Sequence, residues 1–372
     1  MKGILVHPRY FTRAAAAVCA LVLVSPTGSA HAAPGDRARA ESAATWQAGQ
    51  LEDGVIKSTF DGFSYTDWGL TIDTAFALAA EGSRVRALNR AAAKIEENYY
   101  SQYATYQGVV SANAMSKVLT AAKVLRQDPR DFGGRNVRRL VLRLVAGPEA
   151  GLEEGRVRDS NYAEPNAIDY SNTFGQAFAV IGLSRSGRVP ATSVDYLLRQ
   201  QCSQGYFRIF AVKGETCERS GSPADPDATA LSIQALVAAR KDGADFPQRK
   251  LDKAVGWLLD AQRLSGGFGG GADTPSTNAN STGLAAQALN AVGRSKARDK
   301  AAEYVATVQL TRSRVGDGPA REDVGAIAYD KSARNAAIAD GVTQTTVDQF
   351  RRATAQGLFA FTPSSLVTLR RP

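Results

Sequence analysis

One pattern occurs twice in this chain and constrains its fold more than any other feature. Residues 227–236 read Asp-Ala-Thr-Ala-Leu-Ser-Ile-Gln-Ala-Leu, and residues 280–289 read Asn-Ser-Thr-Gly-Leu-Ala-Ala-Gln-Ala-Leu, at an offset of 53 residues without a gap. A fixed period of this length is typical of stacked supersecondary units that share one core. Each unit here is predicted to consist of a helix, a Gly-rich turn and a second helix.

Weaker copies of the pattern occur on both sides of these two. Small polar residues open apolar helices near residues 70, 109, 171, 227, 280 and 345. A helix that is apolar nearly all round is typically buried on every side, whereas the segment before each copy has the spacing of an amphipathic helix. Six buried helices inside six amphipathic ones predict an all-α fold, a closed α/α toroid of about six helical hairpins. We expect it to span residues 45–372 as one domain, because a ring of repeats can exceed the size of a single-core domain.

The first 32 residues have the features of a secretory signal peptide. Lys2, Arg9 and Arg13 surround the start of an apolar run at residues 14–24, and Ala30-His31-Ala32 forms a cleavage site of small residues. The apolar run is shorter than a membrane span. We therefore predict a signal peptide at 1–32, a flexible segment at 33–44, and a secreted protein without a transmembrane anchor.

Removal of this segment changes the chemistry available to the chain. Both histidines, His7 and His31, are lost, and the formal net charge falls from +9 to +6. Without imidazole the mature chain lacks the base of Ser-His-Asp and Cys-His systems and a common zinc ligand, so we expect no metal and no cofactor. Lysine and arginine form no dense run with aromatic residues, which argues against nucleic acid as a partner.

The mature chain keeps two cysteines, Cys202 and Cys217. Two cysteines of an exported chain are expected to pair. We predict a disulfide between them, and the alternative is a pair of free thiols.

Two spaced sets of residues carry a family resemblance. They are Leu197, Gln201, Gly205 and Phe207 in one copy and Leu258, Gln262, Gly266 and Phe268 in the next. They resemble the QW repeats of squalene and hopene cyclases, with Phe in the place of the final Trp. The helices that begin near Asp227 and Asn280 are similar to the inner helices of the terpenoid cyclase and protein prenyltransferase superfamily.

The resemblance covers roughly residues 45–362 and implies the same α/α toroid, which transcobalamin-like proteins also share. Within the superfamily the chain resembles secreted proteins with prenyltransferase or squalene oxidase repeats that lack catalytic activity. One fold hosts many functions, so the resemblance implies more about architecture than about activity.

Triterpene cyclases of this superfamily begin their reaction with an Asp-x-Asp-Asp motif that protonates an alkene. Here Asp225-Pro226-Asp227-Ala228 occupies the matching place, with alanine in the fourth position. We assign no catalytic residue, and Asp227 is only a weak candidate. The alternative is that Asp227 is the ionised N-cap of its helix, which predicts that class II cyclase activity is absent.

Two other branches of the toroid fold need other residues. Prenyltransferases hold zinc with Asp, Cys and His, which the mature chain cannot supply. Polysaccharide lyases on related toroids use Tyr with Asn or His. The tyrosines Tyr99, Tyr100, Tyr103 and Tyr106, together with Asn172, leave a carbohydrate-active enzyme open as an alternative.

The candidate ligand-binding residues lie at or near the starts of the inner helices. In a toroid these starts converge at one mouth of the ring, where unpaired N–H groups give partial positive charge. Polar residues beside aromatic ones there predict a ligand pocket, and the alternative is that they are only helix caps and core side chains. The candidates are Asp73, Tyr170, Asn172, Phe174, Asp225, Asp227 and Asn280.

The sequence thus favours a secreted, non-catalytic module over an enzyme. Its expected partner is a small amphipathic ligand or a component of the cell envelope, and the protein is expected to be a monomer. The alternatives are a degenerate class II terpenoid cyclase and then a carbohydrate-active toroid enzyme.

Overall fold

The computed structural model describes residues 34–164 and 167–372, and the predicted signal peptide lies outside the described residues. The first seven α-helices are α1 (Pro34–Gly49), α2 (Trp68–Glu81), α3 (Val85–Tyr99), α4 (Ala112–Val124), α5 (Val137–Arg143), α6 (Thr173–Ser186) and α7 (Ala191–Arg199). They are followed by α8 (Cys217–Ser220), α9 (Pro226–Lys241), α10 (Gln248–Asp260), α11 (Ala279–Ala291), α12 (Ser295–Val308), α13 (Arg312–Val315), α14 (Lys331–Asp340) and α15 (Val347–Gly357).

Shorter elements connect these helices. Two antiparallel hairpins precede α2 and α4: β1 (Lys57–Phe60) pairs with β2 (Phe63–Thr66), and β3 (Thr105–Tyr106) pairs with β4 (Val109–Val110). A π-helix follows α3 at Tyr100–Ala104, and 3-10 turns lie at Pro148–Glu153, Arg321–Asp323 and Leu358–Phe361.

Six inner helices form a closed ring. Contacts run in turn through α2, α4, α6, α9, α11 and α15, and α15 contacts α2. Asp73 of α2 pairs with Lys117 of α4, and Gln234 of α9 bonds to Gln287 of α11. The members of each pair lie equally far from their helix starts, so neighbouring inner helices run parallel. The helices α1, α3, α5, α7, α10 and α12 pack outside this ring, which confirms the predicted α/α toroid of six hairpins.

The two rings differ in sequence as their positions require. The outer helix α3 buries Leu88, Ala91 and Ile95, the i, i+3, i+7 spacing of one helical face. The inner helices instead carry small residues where they meet. A Cβ atom on Gly283 of α11 would collide with the backbone carbonyl of Gln356 in α15, so the close approach of these helices depends on glycine.

One boundary differs from the prediction. The sequence predicts a flexible segment at 33–44, but from Pro34 onward these residues form the first part of α1. Ala40, Ala43 and Ala44 are buried, and α1 packs against α2 and α15. The apolar contacts of these alanines with the inner ring stabilise a helix that the sequence alone did not predict.

The Gly-rich turns fix each hairpin to the next one. Gly266 has a φ of +85°, and a Cβ atom on it would collide with the backbone carbonyl of Lys300 in α12. The side chain of Gln262 donates to the carbonyl of Gly266 at 2.8 Å and to that of Ala297 at 2.7 Å. Gln201 makes the equivalent two bonds in the preceding unit. The recurrent Gln is therefore a structural residue in both copies.

The recurrent Thr is structural as well. Thr229 accepts a hydrogen bond from the backbone N–H of Phe207 at 2.9 Å, and Thr282 accepts one from Phe268 at 3.0 Å. Each hydroxyl also donates to the backbone carbonyl four residues earlier in its own helix. The pattern thus satisfies buried backbone groups at the join between turn and helix.

The structure contains a third copy of this turn, which the sequence pattern does not show. Gln309 donates to the carbonyl of Gly325 at 3.2 Å and to that of Arg39 at 3.0 Å, as Gln262 does in its own unit. The backbone N–H of Ile327 donates to Thr354 at 2.8 Å. The insertion between Gln309 and Gly325 breaks the spacing, so the sequence shows no repeat there. This copy joins the last unit to α1 and closes the outer ring.

The C-terminal segment lies across the end of the ring where the inner helices finish. The backbone N–H of Leu366 donates to Gln234 of α9 at 2.9 Å, and that of Arg371 donates to the carbonyl of Val124 at 2.7 Å. Arg185 of α6 donates to the carbonyls of Leu366 and Leu369. The segment therefore closes the ring on this side.

The predicted disulfide is present. Cys202 follows α7, Cys217 opens α8, and the two are bonded with their Cα atoms 5.0 Å apart. The bond closes the long excursion between α7 and α9.

Candidate ligand cavity

Five inner helices begin with the same hydrogen bond. A side-chain oxygen of the N-cap accepts from the backbone N–H three residues later, at 2.7–3.4 Å. The capping residues are Asp67, Ser111, Asn172, Asp225 and Asn278. Because these caps lie at equivalent positions, counting from them aligns the helices around the ring.

The residues six positions after the caps form one layer that lines a central cavity of about 270 Å³. The layer contains Asp73, Lys117, Phe178, Leu231 and Leu284. Arg352, at the corresponding position of α15, instead forms an ion pair with Asp67. The cavity therefore has a charged side on α2 and α4 and an apolar side on α6, α9 and α11.

The charged side is one ion pair. The Nζ atom of Lys117 lies 2.8 Å from Oδ1 of Asp73 and donates to the carbonyl of Gly69 at 3.0 Å. Burial opposes the charge of Lys117, but Asp73 and then Tyr103 outweigh it and raise the pKa of the ammonium group. Lys117 stays protonated at neutral pH, and the pair presents no net charge to the cavity.

Amide side chains complete the polar lining. Gln287 accepts a hydrogen bond from Gln234 at 3.1 Å, and Gln356 accepts one from Asn280 at 2.8 Å. Asn172 accepts one from the N–H of Gly175. The oxygens of Gln287, Gln356 and Asn172 are thus engaged, and their amide nitrogens have no acceptor among the described residues. The cavity wall is rich in unpaired hydrogen-bond donors.

Three predicted site residues line this cavity: Asp73, Asn172 and Phe174. Asn172 is also the N-cap of α6, as its position suggested. Tyr170 does not line it; its side chain is 70% exposed, and its carbonyl accepts a hydrogen bond from Asn113 at 2.8 Å. Tyr170 therefore lies outside the cavity, beside the start of α6.

Tyr170 belongs to a set of large apolar side chains exposed in the segments that lead into the inner helices. Each is at least 62% exposed. The set comprises Phe60, Phe63, Tyr106, Ile168, Tyr170, Phe210 and, in the turn before α11, Leu264. These segments surround the end of the ring at which the inner helices begin, so apolar groups surround the cavity mouth.

Asp225 and Asp227 differ from the prediction. The N-cap of α9 is Asp225, whose Oδ1 accepts from the N–H of Ala228 at 2.7 Å, and Asp227 is not a cap. Pro226 has no N–H and a fixed φ, which favours the first helical position, so the helix begins one residue before Asp227. Neither aspartate lines the central cavity.

Asp227 is instead a buried carboxyl. Its Oδ2 accepts from the hydroxyl of Ser281 at 3.1 Å, and its Oδ1 has no partner among the described residues. Burial, followed by the charge of Asp225, raises the pKa of Asp227 to about 7. The backbone at Gly270 passes over this carboxyl, since a Cβ atom there would lie 3.0 Å from Oδ2. Asp227 is therefore half ionised near neutral pH, contrary to the expectation of an ordinary ionised cap.

Asn280 also differs from its predicted place. The cap of α11 is Asn278, whose Oδ1 accepts from the N–H of Ser281 at 2.8 Å. Asn280 points its amide nitrogen at Gln356 and is absent from the cavity lining. It acts on the cavity indirectly, by fixing Gln356. The offset of 53 residues that relates Asp227 to Asn280 relates Asp225 to Asn278 as well, and this signal could have identified the caps.

The four tyrosines that left a carbohydrate-active enzyme open do not gather at the cavity. Tyr103 alone of the four lines the cavity. Tyr99 is buried and donates to the carbonyl of Phe132 at 3.0 Å, Tyr100 stacks with Arg135, and Tyr106 is 75% exposed. Sequence reasoning missed Lys117, Leu231 and Leu284, which only the count from the caps would have placed in one layer.

Two further properties bear on the kind of site. Within 34–164 and 167–372, no group of three or more His, Cys, Asp or Glu residues is arranged to hold a metal ion. In the same part of the chain, every helix is too short or too polar to cross a membrane.

Comparisons of the chain with known proteins find similarity in the fold. No family model and no curated protein sequence matches the chain, but solved structures do. The type II terpene cyclase MstE from Scytonema, in its apo form, is 15% identical with a TM-score of 0.56, over 88% of this chain and 97% of that one. An unsaturated glucuronyl hydrolase specific for heparin is 12% identical with a TM-score of 0.56, over 88% and 95% of the two chains.

Haptocorrin in complex with Cbi is similar as well, with 14% identity and a TM-score of 0.50 over 92% of this chain and 70% of that one. At such identities the likeness shows the fold alone. The chain has the α/α-toroid fold that these structures share. Cyclases, a hydrolase and a binding protein share this fold, so the function must be argued from the cavity.

Proposed function

We propose that this protein is a secreted, non-catalytic binding protein that holds a small amphipathic molecule in the central cavity. The observation that carries the proposal is the two-sided lining, with Phe178, Leu231 and Leu284 opposite the Asp73–Lys117 pair. Ligand pockets are typically apolar with a few placed polar groups, and their volumes are about 300–1,000 Å³. A cavity of about 270 Å³ therefore suits a small ligand.

The polar side of the cavity indicates which polar group the ligand carries, called its head below. Because Lys117 and Asp73 neutralise each other, a charged head would find no opposite net charge there. The amide nitrogens of Asn172, Gln287 and Gln356 are donors without acceptors among the described residues. A neutral head with carbonyl or hydroxyl oxygens would satisfy these donors, and an apolar body would contact the other side.

The surroundings of the cavity entrance favour the same class of ligand. The C-terminal segment covers one end of the ring, with Leu366 contributing to the cavity floor. The other end is surrounded by exposed apolar side chains such as Tyr170 and Phe210. Two fold neighbours are complexes: a variant of MstE with its substrate geranylgeranyl dihydroxybenzoate, and haptocorrin with Cbi.

Export from the cell is part of the proposal, and the sequence features of residues 1–32 support it. A disulfide between Cys202 and Cys217 is compatible with an oxidising compartment. We propose a monomer of residues 33–372 whose partner is the small ligand or an envelope component.

The test is to identify what the natively purified protein carries and then to fill the cavity. Mass spectrometry of solvent extracts should detect a small amphipathic molecule in the wild type. The variant Leu231→Trp should lose it, because the larger side chain occupies the apolar side. The control Leu264→Trp places the same side chain at a fully exposed turn and should retain it.

Circular dichroism establishes that both variants keep the helical fold, and Leu284→Phe serves as a milder filling variant if Leu231→Trp unfolds. An extract of wild-type protein without any bound molecule would refute the proposal. Equal retention by the filled and control variants would refute it too.

One observation favours a second candidate, a degenerate class II cyclase. Asp227 aligns with the acid of the cyclase motif, and burial raises its pKa to about 7. A partly protonated, desolvated carboxyl is the form that acid catalysis requires. Against this candidate, Asp227 lies beneath the Gly-rich turn and does not line the cavity.

A further inference from the structure

A second pocket lies at the other face of the ring, where the inner helices end. The last turns of α4 and α6, the turn after α4, and the C-terminal segment surround a volume of about 560 Å³. Four cationic side chains line it: Lys123, Arg126, Arg185 and Arg370. Asp128 is the single acidic residue in the lining.

The positive charges of this pocket are not neutralised by ion pairs. None of the ion pairs among the described residues includes any of the four cations or Asp128. Arg185 donates to two neutral acceptors, the carbonyls of Leu366 and Leu369. Asp128 accepts from the backbone N–H of Arg130 at 2.9 Å.

The cations also repel one another, so each disfavours the charged form of its neighbour. Burial and then the charge of Arg185 lower the pKa of Lys123. Burial and then the charge of Arg370 lower the pKa of Arg185 to about 10. Each helix end contributes roughly half a negative charge, so the ends of α4 and α6 balance only part of four positive charges.

We propose that this pocket is an anion site that takes a ligand with two neighbouring phosphate or sulfate groups. A single small oxyanion would leave most of 560 Å³ unfilled, and the four cations come from α4, the turn after it, α6 and the C-terminal segment. Arginine presents a planar fork of donors that matches the oxygens of such groups. Arg126 and Arg370 are exposed at the edge, and Lys123 is half-buried.

The site is independent of the central cavity. Its lining shares no residue with the cavity lining, and the C-terminal segment separates the two. The same diphosphate chemistry has two sources, a free phosphate ester or the phosphate headgroups of a lipid surface.

The test uses the variant Lys123→Gln/Arg370→Gln, which removes two cations and leaves Arg185 in place to hold the C-terminal segment. The matched control is Arg249→Gln/Lys296→Gln, which removes the same charge from exposed positions of α10 and α12. Binding of inorganic pyrophosphate is measured by calorimetry at about 0.15 M salt, where distant surface charges are largely screened.

We expect the wild type and the control to bind pyrophosphate with similar affinity. The site variant should bind at least about tenfold more weakly, because a hydrogen bond to a charged group contributes on the order of one factor of ten or more. Vesicles of phosphatidylglycerol, compared with phosphatidylcholine, form the second arm. Loss of vesicle binding in the site variant alone would support a headgroup as the source, and binding of pyrophosphate without vesicle binding would support a free ester.

Two results would overturn the proposal. One is a wild type that binds neither pyrophosphate nor anionic vesicles. The other is an equal loss in the site variant and the charge-matched control, since binding would then follow total charge and not this pocket.

Discussion

Asp225 and Asp227 show how differently two like residues behave at nearby positions of one helix. Asp225 lies outside the first turn, where burial raises the pKa of its carboxyl and the backbone hydrogen bond from Ala228 partly offsets that rise. Asp227 lies inside the first turn, with one oxygen on Ser281 and the other unpartnered among the described residues. The raised pKa of Asp227 predicts a pH-dependent cost to stability.

We predict that Asp227→Asn stabilises the protein more at pH 8 than at pH 5. The pKa of Asp227 is about 7 in the folded protein and about 4 in an unfolded chain. Between these values the unfolded state has released its proton and the folded state has not, so stability falls as the pH rises. The difference between variant and wild type should grow by on the order of 2 kcal/mol from pH 5 to pH 8. Urea unfolding of both proteins at both pH values measures it.

Asp260→Asn is the control, because Asp260 is exposed at the end of α10 and its substitution should show no such growth. A stability difference for Asp227→Asn that is the same at pH 5 and pH 8 would contradict the prediction.

Gln262 carries a second prediction at this scale. Its amide joins two partly buried carbonyls, of Gly266 and Ala297, that belong to neighbouring hairpins. Gln262→Ala leaves both without this donor, so unfolding free energy should fall by about 1–3 kcal/mol. Gln349→Ala, at an exposed position of α15, should change it little. Equal melting temperatures for Gln262→Ala and the wild type would count against the structural role.

At the scale of elements, the inner helices are specified by their caps and the hairpins by their turns. Asp67, Ser111 and Asn172 start their helices at equivalent positions although their surrounding sequences differ. The turns at Gly266 and Gly325 both have positive φ and lie against the next outer helix. The repeat is thus first of all a repeat of caps and turns.

The disulfide belongs to this scale because it constrains one connection, between α7 and α9. We predict that non-reducing peptide mapping finds the peptides of Cys202 and Cys217 joined and no alkylatable thiol in the mature protein. Cys202→Ser/Cys217→Ser should lower the unfolding free energy by about 3 kcal/mol, the chain-entropy value for a loop of this length. Recovery of two modified thiols from protein that was never reduced would disprove the pairing.

At the scale of the whole molecule, ring closure decides which residues meet. Asp73 and Lys117 are far apart in sequence and pair because α2 and α4 are neighbours in the ring. Closure through α15 and α2 leaves one central cavity with one covered end. Asp227 is excluded from the lining of that cavity although it lies on a helix that contributes to it, and the Gly-rich turn packs against its carboxyl at Gly270.

This exclusion predicts that the protein has no class II cyclase activity. An acid can protonate an alkene only within reach of it, and a substrate in the cavity would not contact Asp227. Incubation with squalene, oxidosqualene or geranylgeranyl diphosphate should return each substrate unchanged by mass spectrometry. A cyclic product that disappears in Asp227→Asn would establish the cyclase candidate in place of the binding proposal.

Sequence reasoning alone predicted the α/α toroid, the order of inner and outer helices and the pairing of the two cysteines. The first two follow from apolar periodicity and a repeat that returns at a fixed offset, and the third follows from two cysteines in a chain with an export signal. It also placed Asp73, Asn172 and Phe174 near helix starts, and these three line the cavity.

Which polar residues face the cavity depends on how the helices pack together in the ring. Whether Asp227 is a cap or a buried acid depends on where Pro226 starts the helix and on the Gly-rich turn that passes over it at Gly270. Lys117 and Leu231 carry no local signal of a site, because a lysine or leucine of an inner helix can face a neighbour or the centre. The ring geometry makes that choice, since the sixth residue after a cap points inward only when six helices close around one axis.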